Sequence, residues 1–200
     1  MIRPLVLLLL LSPATPQSLI DLDRRISSSL EGNNRYPLLD ISMEAFALVT
    51  PAVEWGWILA QWQTEKSFQQ SDPTQIAAFS LLSTYAVTGI TKYMFRRQRP
   101  NRNYKPQLWN TRITPSFPSG HAAASAAWAA VATKAFEERT PFYLSYVALS
   151  AWSQIYVGNH YFSDVVAGVL VGAVIGSVMH EKMWGEANAV IPDIVLSFRF

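Results

Sequence analysis

The run "DVVAGVLVGAVIGSVMH", residues 164–180, constrains the fold more than any other part of the chain. It is apolar between Asp164 and His180, and Gly168, Gly172 and Gly176 recur every fourth residue. Residues four apart stack on one helix face. A face of bare glycines lets the backbone of a second helix come closer than any side chain would allow. The other faces, rich in valine and leucine, suit either lipid or a deep core. The run therefore demands a helical partner and leaves the surrounding medium open.

The rest of the chain uses the same alphabet. Helical blocks are read at 40–62, 74–95, 121–136, 141–157 and 163–183, from apolar stretches and the proline and glycine between them. Before them, 17–37 is polar and reads as irregular or as a short helix. The only strand-like pattern is the closing "IVLSFRF", and one strand makes no barrel. Hydrophobic residues are 50% and charged residues 15% of the chain, against roughly 25% charged in soluble domains. Trp55, Trp57 and Trp62 suit an interfacial belt or a core. The expected fold is an all-α bundle of about five to six helices, embedded in a membrane, with a soluble periplasmic bundle as the alternative.

Residues 1–16 combine Arg3, a leucine-rich run and then Ser12, Pro13 and Ala14. This is the layout of a signal peptide or a retained N-terminal anchor, and it is too short for the ~20 residues of a full span. Either reading puts the remaining chain, one helical domain over 17–200, outside the cytoplasm. The expected location is the membrane, with the site facing the periplasm or the cell exterior. A formal charge of +2 is too balanced for a nucleic-acid binder. The absence of cysteine excludes disulfides and thiolate metal sites.

Three segments carry the chemistry. In "KYMFRRQRP", Lys92, Arg96 and Arg99 would share one face of a continuous helix, where like charges repel unless an anion joins them. A solvated basic helix end explains that cluster equally well. In "SFPSGHAAA", Ser119, Gly120 and His121 open an alanine-rich helix, whose first amides suit an anion. An ordinary serine cap explains that too. In "SQIYVGNHYFSD", His160 and Asp164 are four apart, close enough for the carboxylate to hold one imidazole nitrogen and leave the other lone pair free.

Taken together, Lys-x6-Arg-Pro, Pro-Ser-Gly-His and Ser-x6-His-x3-Asp resemble the type 2 phosphatidic acid phosphatase superfamily. That superfamily includes bacterial acid phosphatases, glucose-6-phosphatase and vanadium haloperoxidases. The resemblance covers a motif core of 74–183, and "YVGNHYFSDVVAGVLVG" extends it. It implies the membrane lipid phosphate phosphatase branch, with an all-α bundle and a site at one end. It implies hydrolysis of a phosphomonoester or pyrophosphate, on a lipid phosphate, without metal or other cofactor. By resemblance, His160 is the nucleophile, Asp164 orients it and His121 is the general acid. Lys92, Arg99, Ser119 and Gly120 then hold the phosphoryl oxygens. Phosphoryl transfer needs such positioning and charge neutralisation more than covalent chemistry.

One position departs. Gln154 stands where the superfamily has arginine, and the lost charge-assisted contact is worth about 1.5–3 kcal/mol. Gln154 is expected to donate to the phosphoryl group, with Arg96, Arg97 or Arg112 compensating and Arg96 best placed by helical geometry. The alternatives are a vanadium-dependent haloperoxidase, a metal hydrolase using His121, His160 and Asp164, and a lipid-phosphate-binding membrane protein without turnover. Tyr104 and Trp109 suit either the substrate entrance or packing. His180 reads as a helix-end residue.

Overall fold

Local signals set the helix boundaries in the computed structural model, which describes residues 17–65, 72–108 and 112–186. Asp72 accepts from the Thr74 N–H at 2.8 Å, just ahead of a proline that has no N–H to satisfy. Ser119 caps the next helix by accepting from Ala122. At the other end of that first segment, Arg96 turns left-handed (φ 48°) and stops the helix.

The resulting order is α1 (Gln17–Leu30), α2 (Pro37–Glu65), α3 (Pro73–Phe95), α4 (Gly120–Ala135), α5 (Thr140–Tyr156) and α6 (Phe162–Glu186), with one 3-10 turn at Glu137–Arg139. No strand occurs among the described residues. The fold is the expected all-α bundle. Of the two readings of the polar 17–37 stretch, the short helix is the one found: α1 occupies 14 of its residues. The leader-like residues 1–16, Trp109 and the closing tail lie outside the described residues.

α4 is the axis of the bundle. Ala122, Ala123, Ala124, Ala126, Ala127, Ala129 and Ala132, with Ser125, Trp128 and Val131, are buried, so α3, α5 and α6 close around a thin rod. The glycine face of α6 lies directly on it. A Cβ added at Gly168, Gly172 or Gly176 would land on the carbonyl oxygens of Ser119, Ala123 and Ala127 in turn. That backbone-on-backbone seam fixes the register of α4 against α6. Below it, the Trp128 ring meets Trp57, Tyr143 and Tyr146 edge-on at 5.1–5.7 Å. Trp57 and Trp55 pack on this core, while Trp62 is exposed.

α2 contains Pro51, which lacks the N–H that Ala47 O would otherwise accept. Gln154, on α5, supplies the missing donor: its Nε2 lies 3.0 Å from Ala47 O. The outward faces are apolar, with Phe79, Leu82 and Ile90 on α3 and Leu170, Val174 and Val178 on α6 all exposed. Phe162–Met183, with a mean hydropathy of 2.0, is long and apolar enough to cross a membrane.

Candidate active site

The seam between α4 and α6 puts both helix starts at one end of the bundle, where Ser119 N–H donates to Asp164 O at 2.9 Å. Three chain segments meet there: the end of α3 with the loop after it, the start of α4, and the 157–161 connection into α6.

His160 is buried on that connection. Its Nε2 lies 3.3 Å from an Arg99 guanidinium nitrogen, and its Nδ1 faces Asp164 Oδ2 at 3.7 Å. A guanidinium only donates, so Nε2 carries the lone pair and the ring proton sits on Nδ1, toward the carboxylate. This is the tautomer an attacking Nε2 needs. Asp164 is fully buried and thoroughly held. Its Oδ1 accepts from Arg97 at 2.6 Å, and its Oδ2 accepts from the Tyr161 N–H at 2.9 Å and from the Ser116 hydroxyl.

Arg99 bridges the segments, donating to Thr114 O at 2.8 Å and Asn159 O at 2.7 Å. Arg102 donates to Asn159 Oδ1 and Arg112 to Gly158 O, so three arginines grip one short connection. Gly158 has φ +64°, and a Cβ there would meet Arg102 and Glu31 at 2.9 Å, so only glycine fits. Lys92 turns its ammonium onto the carbonyls of Pro115, Ser116 and Pro118 at 2.8–3.3 Å, which shapes the loop leading into Ser119.

His121 stands on the first turn of α4, in the field of Lys92 and Arg99. Burial first, and then those two cations, push its pKa down to about 4. Burial also dominates at His160. There Arg99 and Lys92 add to it and Asp164 opposes it, and the pKa again falls to about 4. Both rings are therefore neutral at pH 7. Burial and the neighbouring Arg112 and Arg102 lower Arg99 to about 10.

The seven residues Lys92, Arg99, Ser119, Gly120, His121, His160 and Asp164 thus converge, and two expected ones do not. Gln154 is fully buried, with its amide spent on Ala47 O and on Asn159 Nδ2 at 3.1 Å, so it serves α2 beside Pro51 and not the cluster around His160. Arg96 lies on no shared face with Lys92 and Arg99, because the helix stops at Phe95. It is exposed, and its Nε bonds Tyr93 O. Tyr104 packs inside, donating to Asp40 O and Glu44. Sequence reasoning missed Ser116, Arg102 and Asp23. Ser116 sat inside the quoted "SFPSGH" and was readable as a second hydroxyl; Asp23 carried no motif at all.

Residues 74–187, over half of the chain, match the sequence model of the PAP2 superfamily. The chain belongs to the PAP2 superfamily. Decaprenylphosphoryl-5-phosphoribose phosphatase of Mycobacterium tuberculosis is 32% identical over 114 residues, covering 57% of this chain and 63% of that protein. The chain thus spans under two thirds of the length of that relative. Lipid A 4'-phosphatase of Porphyromonas gingivalis is 25% identical over 181 residues, 82% of this chain and 73% of that protein. Among solved structures, the transmembrane PAP2-type phosphatidylglycerolphosphate phosphatase of Bacillus subtilis superposes with a TM-score of 0.69 at 18% identity, over 100% of both chains. LpxE of Aquifex aeolicus gives 0.61 at 23% identity, over 80% of this chain and 93% of that one. These two show that the bundle is the fold of membrane PAP2 phosphatases.

Proposed function

We propose that this PAP2-superfamily chain is a membrane phosphatase that hydrolyses a lipid phosphate or pyrophosphate without metal, through a phosphohistidine at His160. The observation that carries this reading is the Arg99–His160 contact: a cation lies against the imidazole nitrogen that carries the lone pair, where an arriving phosphoryl oxygen would take over its N–H. A phosphoryl group drawn in by Arg99 arrives in front of its nucleophile. The α4 amides at Gly120 and the charge of Lys92 add to the neutralisation that a metal provides elsewhere.

The chemistry balances with these groups alone. The His160 Nε2–P bond forms as the P–O bond to the leaving group breaks, and that oxygen takes a proton from His121. Water then loses a proton to His121 and attacks phosphorus. The N–P bond breaks, phosphate leaves and the lone pair returns to Nε2. With its pKa lowered to about 4, His121 is neutral at pH 7, so it gains its proton with the substrate, whose negative charge raises that pKa.

Lipid substrates are supported by the surroundings. A polar recess of about 550 Å³, lined by Arg24, Arg25, Ser28, Asn101 and Tyr161, includes Arg99 and so opens beside the site. An apolar groove of about 380 Å³ runs between α5 and α6, past Leu30, Trp152, Ile155 and Val169. The relatives are phosphatases of decaprenylphosphoryl-5-phosphoribose, lipid A and phosphatidylglycerolphosphate, each a phosphate carried on a lipid.

The test is hydrolysis of a panel of lipid phosphates by the detergent-purified chain with chelator present. Wild type is expected to release phosphate and His160→Ala to lose at least about a thousandfold in kcat. Turnover by His160→Ala overturns the nucleophile. Vanadate-dependent bromination without phosphate release points to the haloperoxidase reading, and binding without either reaction points to the non-catalytic one.

A further inference from the structure

Asp23 lies on α1, outside the segment that matches the superfamily, yet it reaches the catalytic pair through one intermediate. Its side chain is nearly buried, and every oxygen is used. Oδ1 accepts from the Ser163 N–H at 2.9 Å, and Oδ2 accepts from the Ser163 hydroxyl at 2.7 Å and from Arg97 at 2.6 Å. Arg97 divides its fork. One terminal nitrogen goes to Asp164 Oδ1 and Ser163 Oγ, and the other goes to Asp23. Its plane lies over the Tyr161 ring, 4.3 Å from the centroid.

A guanidinium facing a lone carboxylate prefers to bind it through both nitrogens and both oxygens. At Asp164 that arrangement would occupy Oδ2, the oxygen turned to His160 Nδ1. We propose that Asp23 is a positioning residue for the His160–Asp164 pair: it takes one arm of the Arg97 fork, so that Arg97 binds a single oxygen of Asp164 and the other, held by the Tyr161 N–H and the Ser116 hydroxyl, stays turned to the imidazole. Asp23 thereby reinforces, at one remove, the tautomer that Arg99 favours from the Nε2 side.

Two other groups touch the ring: Arg99 donates to Nε2, and Ser116 Oγ, which donates to Asp164 Oδ2, lies 3.5 Å from Nδ1 and can accept from it. Of the three, Asp164 alone carries negative charge, so its orientation decides how firmly the Nδ1 proton is held. The contacts from Asp23 to Ser163 also dock α1 on the start of α6, as does Ser27, which accepts from the Phe162 N–H. A docking role alone predicts lost stability with an unchanged tautomer, and this separates the two.

The chain has three histidines, so nitrogen-15 histidine spectra of the full protein in detergent at pH 7.5 are readily assigned by single substitution. Wild type is expected to show His160 protonated on Nδ1. Asp23→Ala is expected to move a substantial fraction to the Nε2–H tautomer and to lower kcat roughly 10- to 100-fold with KM little changed. Adding Arg97→Gln to Asp23→Ala removes the competing fork and is expected to return the proton to Nδ1. Asp23→Asn, which keeps the contact with the Ser163 N–H, serves the same test if Asp23→Ala does not fold. An unchanged His160 spectrum in a folded Asp23 variant overturns the proposal, as does a double variant no different from the single. The kinetic part rests on the phosphatase reading; a wild-type protein without turnover ends that reading, while the spectra still decide on Asp23.

Discussion

The two histidines arrive at the same end of the bundle by opposite means. His121 is placed by backbone: a capped helix start on a rod of alanines, held in register by glycines of α6 that touch carbonyls. His160 is placed by side chains: Arg99, Arg102, Arg112 and Gln154 all grip the few residues of its connection. A backbone seam has no slack, since one added methyl group strikes peptide atoms. A connection held by several side chains shares its load, so losing one contact loosens it without undoing the fold.

The largest expected effect follows from that difference. Gly172→Val sets a branched side chain against the Ala123 carbonyl and is expected to abolish folded, monodisperse protein in detergent, read by gel filtration. Arg102→Ala, on the side-chain-held connection, is expected to leave the melting temperature within a few degrees of wild type and to lower kcat about tenfold. If Gly172→Val folds normally, the seam does not set the register and the contrast fails.

Gln154 belongs to both halves of the comparison, because it joins the His160 connection to a backbone defect in α2. Its Nε2 repairs the carbonyl that Pro51 strands, and its Oε1 holds Asn159. Restoring the superfamily's arginine here would bury a charge against a position built for an amide. Gln154→Arg is therefore expected to destabilise by about 3–5 kcal/mol and not to strengthen phosphate or vanadate binding. Gln154→Leu is expected to cost about 1–3 kcal/mol, and Pro51→Ala in that background should recover part of it by letting the helix bond Ala47 O itself. Denaturation of the four proteins in one detergent measures this. A tighter vanadate complex in Gln154→Arg would mean the side chain can swing to the anion after all.

How much was readable in advance follows the same divide. The helix blocks, the glycine face and the three motif segments were legible, because each depends on local periodicity or on a spacing of a few residues. The ends of the blocks match α2 to α6 to within a few residues. Arg96 misled because the expected helical face assumed a helix that Arg96 itself ends by turning left-handed. Gln154 misled because its partner, Ala47 O, is 107 residues away, and its need arises from a proline on another helix. Asp23 was invisible for the same reason: an acidic residue on a polar helix carries no sign of the arginine 74 residues later that it will divide. Long-range repairs of this kind leave no local pattern to read.

The smallest effect tests how deeply His160 is held. Its pKa is about 4 in the folded site, against about 6.5 in an unfolded chain. Between those values the unfolded state binds the proton and the folded state does not, so stability is greatest above pH 6.5 and falls as the pH drops toward 4. Below that both states are protonated and the loss levels off. For this one group the fall from pH 6.5 to 5 is on the order of 1–2 kcal/mol. His121, lowered in the same direction, adds a further part in the same window. Melting temperatures taken across pH 7.5 to 4.5 should therefore decline for wild type and decline less steeply for His160→Asn. Inorganic phosphate bound at Arg99 should flatten the wild-type decline, because its charge raises both imidazoles toward their ordinary values. Equal slopes for wild type and His160→Asn would show that the His160 ring stays in contact with water, and a connection gripped by three arginines would then be looser than its hydrogen bonds imply.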